Sequence, residues 1–314
     1  MTFVAVTASL LESGVLTNHV DFALPFRSAR AIKDPEVLHF LDEVGRGSNL
    51  SLYADGDESR IKFLSDFPAW LCSSSVNKLI NIDMFRFSSF THGTIQAFDA
   101  FYSSNRKRRF RCFKGEFMYH VACWRVGYDF AFIEDAPVQR GDAIVISLPF
   151  SDSGGRHPLM DEVIAVCNRL EVPVLVDCAY MNISKGVEFD FNQPCIDVVA
   201  FSLSKTFYGL AKMRIGVRLS KNFTDDFVHV FNTAGMVNQF SCALGSAFIE
   251  KFDVDFNVTK YRQRQIDVCR QLNVEPSDCV IFGLGGDDWA AYNRGGAYNR
   301  ICVNSILEQE GSHE

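Results

Sequence analysis

The chain has 314 residues, 47% of them hydrophobic and 22% charged, with a formal net charge of −7. That composition is globular, with ample apolar material for a core, and its acidic balance excludes a general nucleic-acid or anionic-membrane binder. The ten cysteines include no C-x-x-C pair and no Cys/His cluster at zinc spacing, so they read as reduced, buried small residues of a cytoplasmic protein.

The first stretch, MTFVAVTASLLESGVL, is apolar but lacks a basic start and contains Glu12, so no signal peptide is expected. No run is long and apolar enough to span a bilayer. Asp34-Pro35 is a helix start, and Tyr53, Gly56 and Arg60 lead into an amphipathic helix. Next, a strand pattern ends at Thr91, and His92-Gly93-Thr94 opens a helix with Ile95, Phe98 and Phe101 on one side. A glycine there lets an anion approach backbone N–H groups with the helix dipole behind them. The basic run from Asn105 to Arg111 is expected to be a solvated loop.

Arg140-Gly141-Asp142 punctuates before a buried strand, Ala143 to Ser147, which runs into LPFSDSGG. An amphipathic helix from His157 to Leu170 then leads back to the sheet as a βαβ unit. Val174 to Val176 is a short apolar run ending in Asp177, and Ile196 to Phe201 is another, ending in Ser202-Leu203-Ser204-Lys205. Such β-branched runs fit buried strands of a parallel sheet, and ligands of open α/β sheets sit outside the carboxyl ends of the strands. Arg214 follows nine positions after the lysine. Helical patterns then cover Asn222 to Lys251 and Asn257 to Leu272. Val280 to Phe282 reads as a short strand, and Gly283-Leu284-Gly285-Gly286 as a turn, because no βαβ unit follows it. Arg300 stands at a last short strand.

Asp177-x-Ala-Tyr180, Ser202-x-Ser-Lys205 and Arg214-x-Gly216, in that order, resemble the pyridoxal 5'-phosphate (PLP) site of fold-type I aminotransferases, classes I and II. The resemblance implies an α/β fold, with an α/β/α large domain on a mainly parallel sheet and a small α+β domain. It implies an arm and part of the small domain in residues 1–47, the PLP-binding domain in 48–220, and an interdomain helix with a reduced small domain in 221–314. The active site of such enzymes lies at a homodimer interface. Lys205 would form the Schiff base with PLP, Asp177 would pair with the pyridine nitrogen, and Tyr180 would bond the ring hydroxyl. Ser202 and Arg214 would hold the phosphate together with the His92-Gly93-Thr94 helix start. Tyr53 would reach the phosphate of the neighbouring subunit. Phe117 would stack on the ring, His120 would buttress Asp177, and Arg300 would clamp the substrate carboxylate. Two departures are visible. One more residue than usual separates lysine from arginine, and LPFSDSGG lacks both asparagines of the family's Asn-Pro-x-Asn-Pro-Thr-Gly, with Ser151 in the second position. A serine hydroxyl still offers a hydrogen bond there.

These groups suit the chemistry. A carboxylate beside the pyridine nitrogen keeps it protonated, so the ring is an electron sink. A lysine beside a cationic ring and out of water loses some preference for its charged form, and serves as nucleophile and proton carrier. The leading expectation is an aminotransferase acting on an amino acid and a 2-keto acid. A second is another PLP enzyme on the same scaffold: a β- or γ-lyase, a decarboxylase or a racemase. A third, a non-catalytic regulator, lacks a recognisable DNA-binding segment. No second arginine can be assigned to a side-chain carboxylate.

Overall fold

The computed structural model describes residues 25–47, 56–121 and 127–309. Tyr53 lies outside them. Helix α1 (Pro35–Gly47) is capped by Asp34, whose Oδ1 accepts from the Glu36 and Val37 amides at 2.8 and 3.1 Å. The chain continues through α2 (Glu58–Cys72), β1 (Lys78–Ile80), β2 (Phe87–His92), α3 (Thr94–Ser104), β3 (Arg109–Cys112), α4 (Met118–Val121) and β4 (Phe130–Phe132). Next come β5 (Asp142–Ser147), α5 (Met160–Leu170), β6 (Val174–Asp177), β7 (Glu188–Asp190), β8 (Ile196–Ser202), α6 (Leu210–Met213) and β9 (Ile215–Ser220). The last part holds α7 (Phe227–Thr233), α8 (Gln239–Lys251), α9 (Phe256–Gln271), β10 (Glu275–Pro276), β11 (Phe282–Gly285), β12 (Asn299–Cys302) and α10 (Asn304–Gln309).

Seven strands form one sheet in the order β2-β9-β8-β6-β5-β3-β4. β9 is antiparallel to both its neighbours, and every other adjacent pair is parallel. Six strands therefore point one way, and the ends of β2, β5, β6 and β8 share one edge. Side chains alternate across the sheet. Ile144, Ile146, Val174 and Val176 pack into a core with Phe63, Phe67 and Phe248 of α2 and α8. Ala143, Val145 and Leu175 pack into another with Phe98 and Phe101 of α3. Helices thus cover both faces, the expected α/β/α arrangement, which is why the strands read as unbroken apolar runs. Burying one such phenylalanine stabilises by about 1.5–3 kcal/mol. The antiparallel sheet β10-β11-β12 shares a separate core with α9 and α10, built from Val268, Ile281, Phe282, Ile301 and Leu307. Ile32 joins it from the N-terminal side and Tyr180 from the turn after β6. No helix among the described residues is long and apolar enough to cross a membrane.

Three local expectations are corrected. The basic run is not a solvated loop throughout. Its second half is β3, where Arg111 is 1% exposed and pairs with Asp142 at 2.8 Å, beside Arg109 on the same carboxylate. The partner comes from parallel pairing, which sets Arg109 opposite Asp142 at the start of β5. Gly283 to Gly285 of the glycine string are not a turn but part of β11, with only Gly286 beyond it; Gly283 and Gly285 leave room for Val274 and Trp289, which a Cβ would meet at 2.7 and 2.5 Å. The helical pattern from Asn222 to Lys251 is broken into α7 and α8, with Gly235 at φ +66° between them.

Candidate active site

Asp177 is the last residue of β6, and the register sets it between Ser147 of β5 and Ala200 of β8. Its carboxylate is 4% exposed. Oδ1 accepts from the Ala179 amide at 3.0 Å, and Oδ2 lies 3.7 Å from His120 Nε2. His120 is fixed from behind. Its Nδ1 is 2.6 Å from the Tyr102 hydroxyl, and its ring stands edge-on to Phe98 at 4.5 Å. The line Tyr102–His120–Asp177 therefore runs from α3 through α4 to the strand end. Phe117, half-buried, lies edge-on to His120 at 5.9 Å and parallel to Tyr119 at 6.1 Å.

β8 ends in Ser202, whose Oγ is 2.7 Å from Ser204 Oγ and accepts from the Ser204 amide at 3.1 Å. Lys205 follows. Its Nζ donates to the Ala29 carbonyl and lies 5.9 Å from the Tyr180 ring centre. Tyr180 is buried, edge-on to Phe282 at 5.2 Å.

The turn after Lys205 and helix α6 return the chain to the sheet, so that Arg214 arrives at the end of β2. Its Nη2 donates to the His92 carbonyl at 2.9 Å. The His92 side chain itself is exposed, whereas Thr94 is buried. Gly93 has φ 72° and ψ 178°, and gives α3 no side-chain cap. A Cβ on Gly93 would stand 2.5 Å from Arg214 Nη2, and one on Gly216 would stand 2.7 Å from Gly93 Cα. Thr91 Oγ1 is buried without a partner among the described residues. An open helix start beside a guanidinium and an unpaired hydroxyl is an anion cradle.

A third cluster surrounds Ser151, which is buried. Arg300 of β12 donates to its carbonyl, and Arg294 reaches the same carbonyl at 3.1 Å and the hydroxyl at 3.3 Å. Burial, with Arg300 adding to it, lowers the Arg294 guanidinium to about 10. Asp152 is fully buried, and burial pushes its carboxyl up to about 6 despite the two arginines. Glu116 accepts from the amide and hydroxyl of Ser147, and burial raises its carboxyl while His120 works against the shift.

The geometry brings Asp177, Tyr180, His120, Lys205 and Ser202 to one sheet edge, with Phe117 beside His120. It joins Arg214 to His92-Gly93-Thr94 and Arg300 to Ser151. Sequence reasoning missed Tyr102, Glu116, Asp152 and Arg294. Only Tyr102 left a signal, standing one helical turn after Phe98 on the buried side of α3. The donor set fits PLP: a buried carboxylate for a ring nitrogen, an amine three residues past a strand end, and a cradle for a phosphate.

A family model described as "Aminotransferase class I and II" matches residues 67–276. No curated protein matches the chain. Among solved structures, the chain is similar to a probable N-succinyldiaminopimelate aminotransferase from Thermus thermophilus, with 13% identity and a TM-score of 0.64 over 98% of this chain and 97% of that one. It is similar to tyrosine aminotransferase from Leishmania infantum, with 13% identity and a TM-score of 0.63 over 99% and 98%. It is also similar to a PLP-bound C-S lyase from Staphylococcus hominis, with 11% identity and a TM-score of 0.62 over 94% and 88%. At these identities the likeness is one of fold. The family match, which spans most of the sequence, says more: the chain belongs to the class I and II aminotransferases, whose cofactor is PLP.

Proposed function

We propose that the protein is a PLP-dependent aminotransferase that moves an amino group between an amino acid and a 2-keto acid. The observation that carries this is the shared edge of one sheet, where Asp177, Lys205 and the Arg214–Gly93 cradle stand together. PLP, when bound, supplies an electron sink for charge that develops at the substrate Cα. Lys205 Nζ would hold the cofactor at its carbonyl and would serve as the base that carries the substrate α-proton. Asp177 would hold a proton on the ring nitrogen, with His120, itself held by Tyr102, fixing that carboxylate. The Tyr180 hydroxyl and Ser151 would donate to the ring hydroxyl, and Phe117 would pack on the ring. Ser202, Arg214 and the Gly93-Thr94 helix start hold the phosphate. Arg300 binds the substrate carboxylate through its bidentate fork. We further read the chain as a cytoplasmic homodimer with the domain limits given above, in which Tyr53 serves the neighbouring site.

A second reading is an eliminating lyase. A C-S lyase is among the similar folds, and LPFSDSGG lacks both asparagines of the family pattern. Absorption spectra of the PLP-loaded protein, with single amino acids and alongside Lys205→Ala, decide between them. A visible band that needs Lys205, and that an amino acid converts to the pyridoxamine form as keto acid appears, is expected. Amino acids that perturb the band without pyridoxamine product would favour the lyase. No band in folded protein would sink both.

A further inference from the structure

Arg294 and Arg300 converge on one residue. Nη1 of each donates to the Ser151 carbonyl, and Arg294 Nη2 donates to the Glu116 carbonyl at 3.1 Å. Arg300 is 6% exposed, its guanidinium lies 4.4 Å from the Phe282 ring centre, and its Nε is buried without a partner among the described residues. None of these contacts is to a carboxylate, so both cations are held by neutral groups.

The carboxylate whose field reaches both arginines is Asp152. It is fully buried, and its carboxyl occupies the space that side chains would fill at Gly115 and Gly296, where a Cβ would meet it at 2.6 and 2.3 Å. Oδ2 accepts from the Tyr298 amide at 3.2 Å, and Oδ1 is buried without a partner among the described residues. Asp152 follows directly on Ser151, whose carbonyl both arginines bind, and its field falls on both of them.

Two guanidinium groups against one ionised carboxylate leave a single positive charge, which one substrate carboxylate balances. A second carboxylate would be an unpaired charge in a buried setting, which is costly. We infer that Asp152 determines substrate charge: the site takes an amino acid with one carboxylate and no anionic group on its side chain, and Asp152 turns dicarboxylic amino acids away. The inference rests on the aminotransferase reading of the same site.

The test is binding of two near-isosteric anions, succinate and its monoamide succinamate, to the PLP-loaded protein by calorimetry, for the wild type and Asp152→Asn. It is done well above the pH at which Asp152 titrates. The wild type is expected to prefer succinamate on the order of tenfold, as one like charge nearby implies. The variant should bring that ratio to unity or reverse it. A role of Asp152 in packing alone would not move a ratio of isosteric ligands. Equal binding by the wild type, preference for succinate, binding of neither anion, or a ratio unmoved by the variant overturns the inference. If the variant fails to fold, the wild-type ratio still decides. The lysine-dependent visible band, recorded on the same samples, separates the two failures. Its absence sinks the aminotransferase reading, while its presence with the wrong ratio sinks only the charge assignment.

Discussion

Replacing Gly93 with alanine strikes the proposed phosphate cradle at a point where two costs can be told apart. The backbone there has φ 72° and ψ 178°, a region open in practice only to glycine, so an alanine costs about 1–3 kcal/mol in strain. The new Cβ would also stand 2.5 Å from Arg214 Nη2 and 3.0 Å from its Cζ. A guanidinium at the end of a flexible side chain can retreat, so the fold survives, but the 2.9 Å bond to the His92 carbonyl is lost. A hydrogen bond from a charged donor is worth about 1.5–3 kcal/mol. If Arg214 must meet the phosphate from that position, PLP binding weakens by about 10- to 100-fold. Urea unfolding of PLP-free protein reads the first cost, and PLP titration by absorbance reads the second. A variant that is destabilised yet binds PLP as tightly as the wild type would refute the cradle: Gly93 would then only shape the turn. A variant unchanged in both would refute the close approach of Gly93 and Arg214.

Arg111→Leu leaves the Asp142 carboxylate with Arg109 and the Gln139 amide as its partners among the described residues. It is expected to cost on the order of 3 kcal/mol, as breaking one side of a buried pair does. Thermal unfolding measures that loss, and PLP affinity below the transition should be unchanged. His157 stacks on Phe113 with ring centres 3.6 Å apart, and burial depresses its imidazole to about 4. Because the unfolded value, about 6.5, is higher, protonation favours the unfolded chain. The contribution of His157 is therefore complete above about 6.5 and is lost as pH falls toward about 4. Urea midpoints of His157→Phe should then fall less steeply than those of the wild type over that window. An NMR titration of His157 with its midpoint at the unfolded value would overturn this.

That Asp177, Tyr180, Ser202 and Lys205 share one sheet edge was legible because the signals are local. Asp177 and Ser202 each close a short β-branched apolar run, the pattern of an inner strand of a parallel sheet. The register then follows from pairing, and with it the nearness of Asp177 and Lys205. Arg111 was misread because its charge is answered by Asp142, 31 residues away, and no rule about basic runs sees a partner at that distance. The same holds for Glu116, which looks like a polar loop residue until β5 presents the Ser147 amide to it. Arg294 and Asp152 are far apart in the chain, and only the docking of the small sheet on the loop after β5 joins them. The tight neighbours of Gly283 and Gly285 are likewise tertiary.

These two kinds of placement bear on what the site can vary. Asp177 and Ser202 cannot move without slipping a strand, and a slip of one residue turns every side chain to the opposite face. Here that would bury the site and break both cores at once. Ser151 and Asp152 are under a different constraint. Their loop is closed by two backbone bonds, Phe150 N to Gly155 O at 2.6 Å and Gly154 N to Phe150 O at 2.7 Å. It is pinned to the small sheet by Ser277 Oγ donating to the Ser153 carbonyl at 2.6 Å. None of these three bonds uses the side chain of Ser151 or Asp152. The loop can hold its path while those two side chains change, so the charge presented to Arg294 and Arg300 is adjustable without disturbing Lys205 or Asp177. On the proposed roles, the residues of the electron-sink chemistry are fixed by the sheet, and the choice of substrate is left to residues the sheet does not constrain.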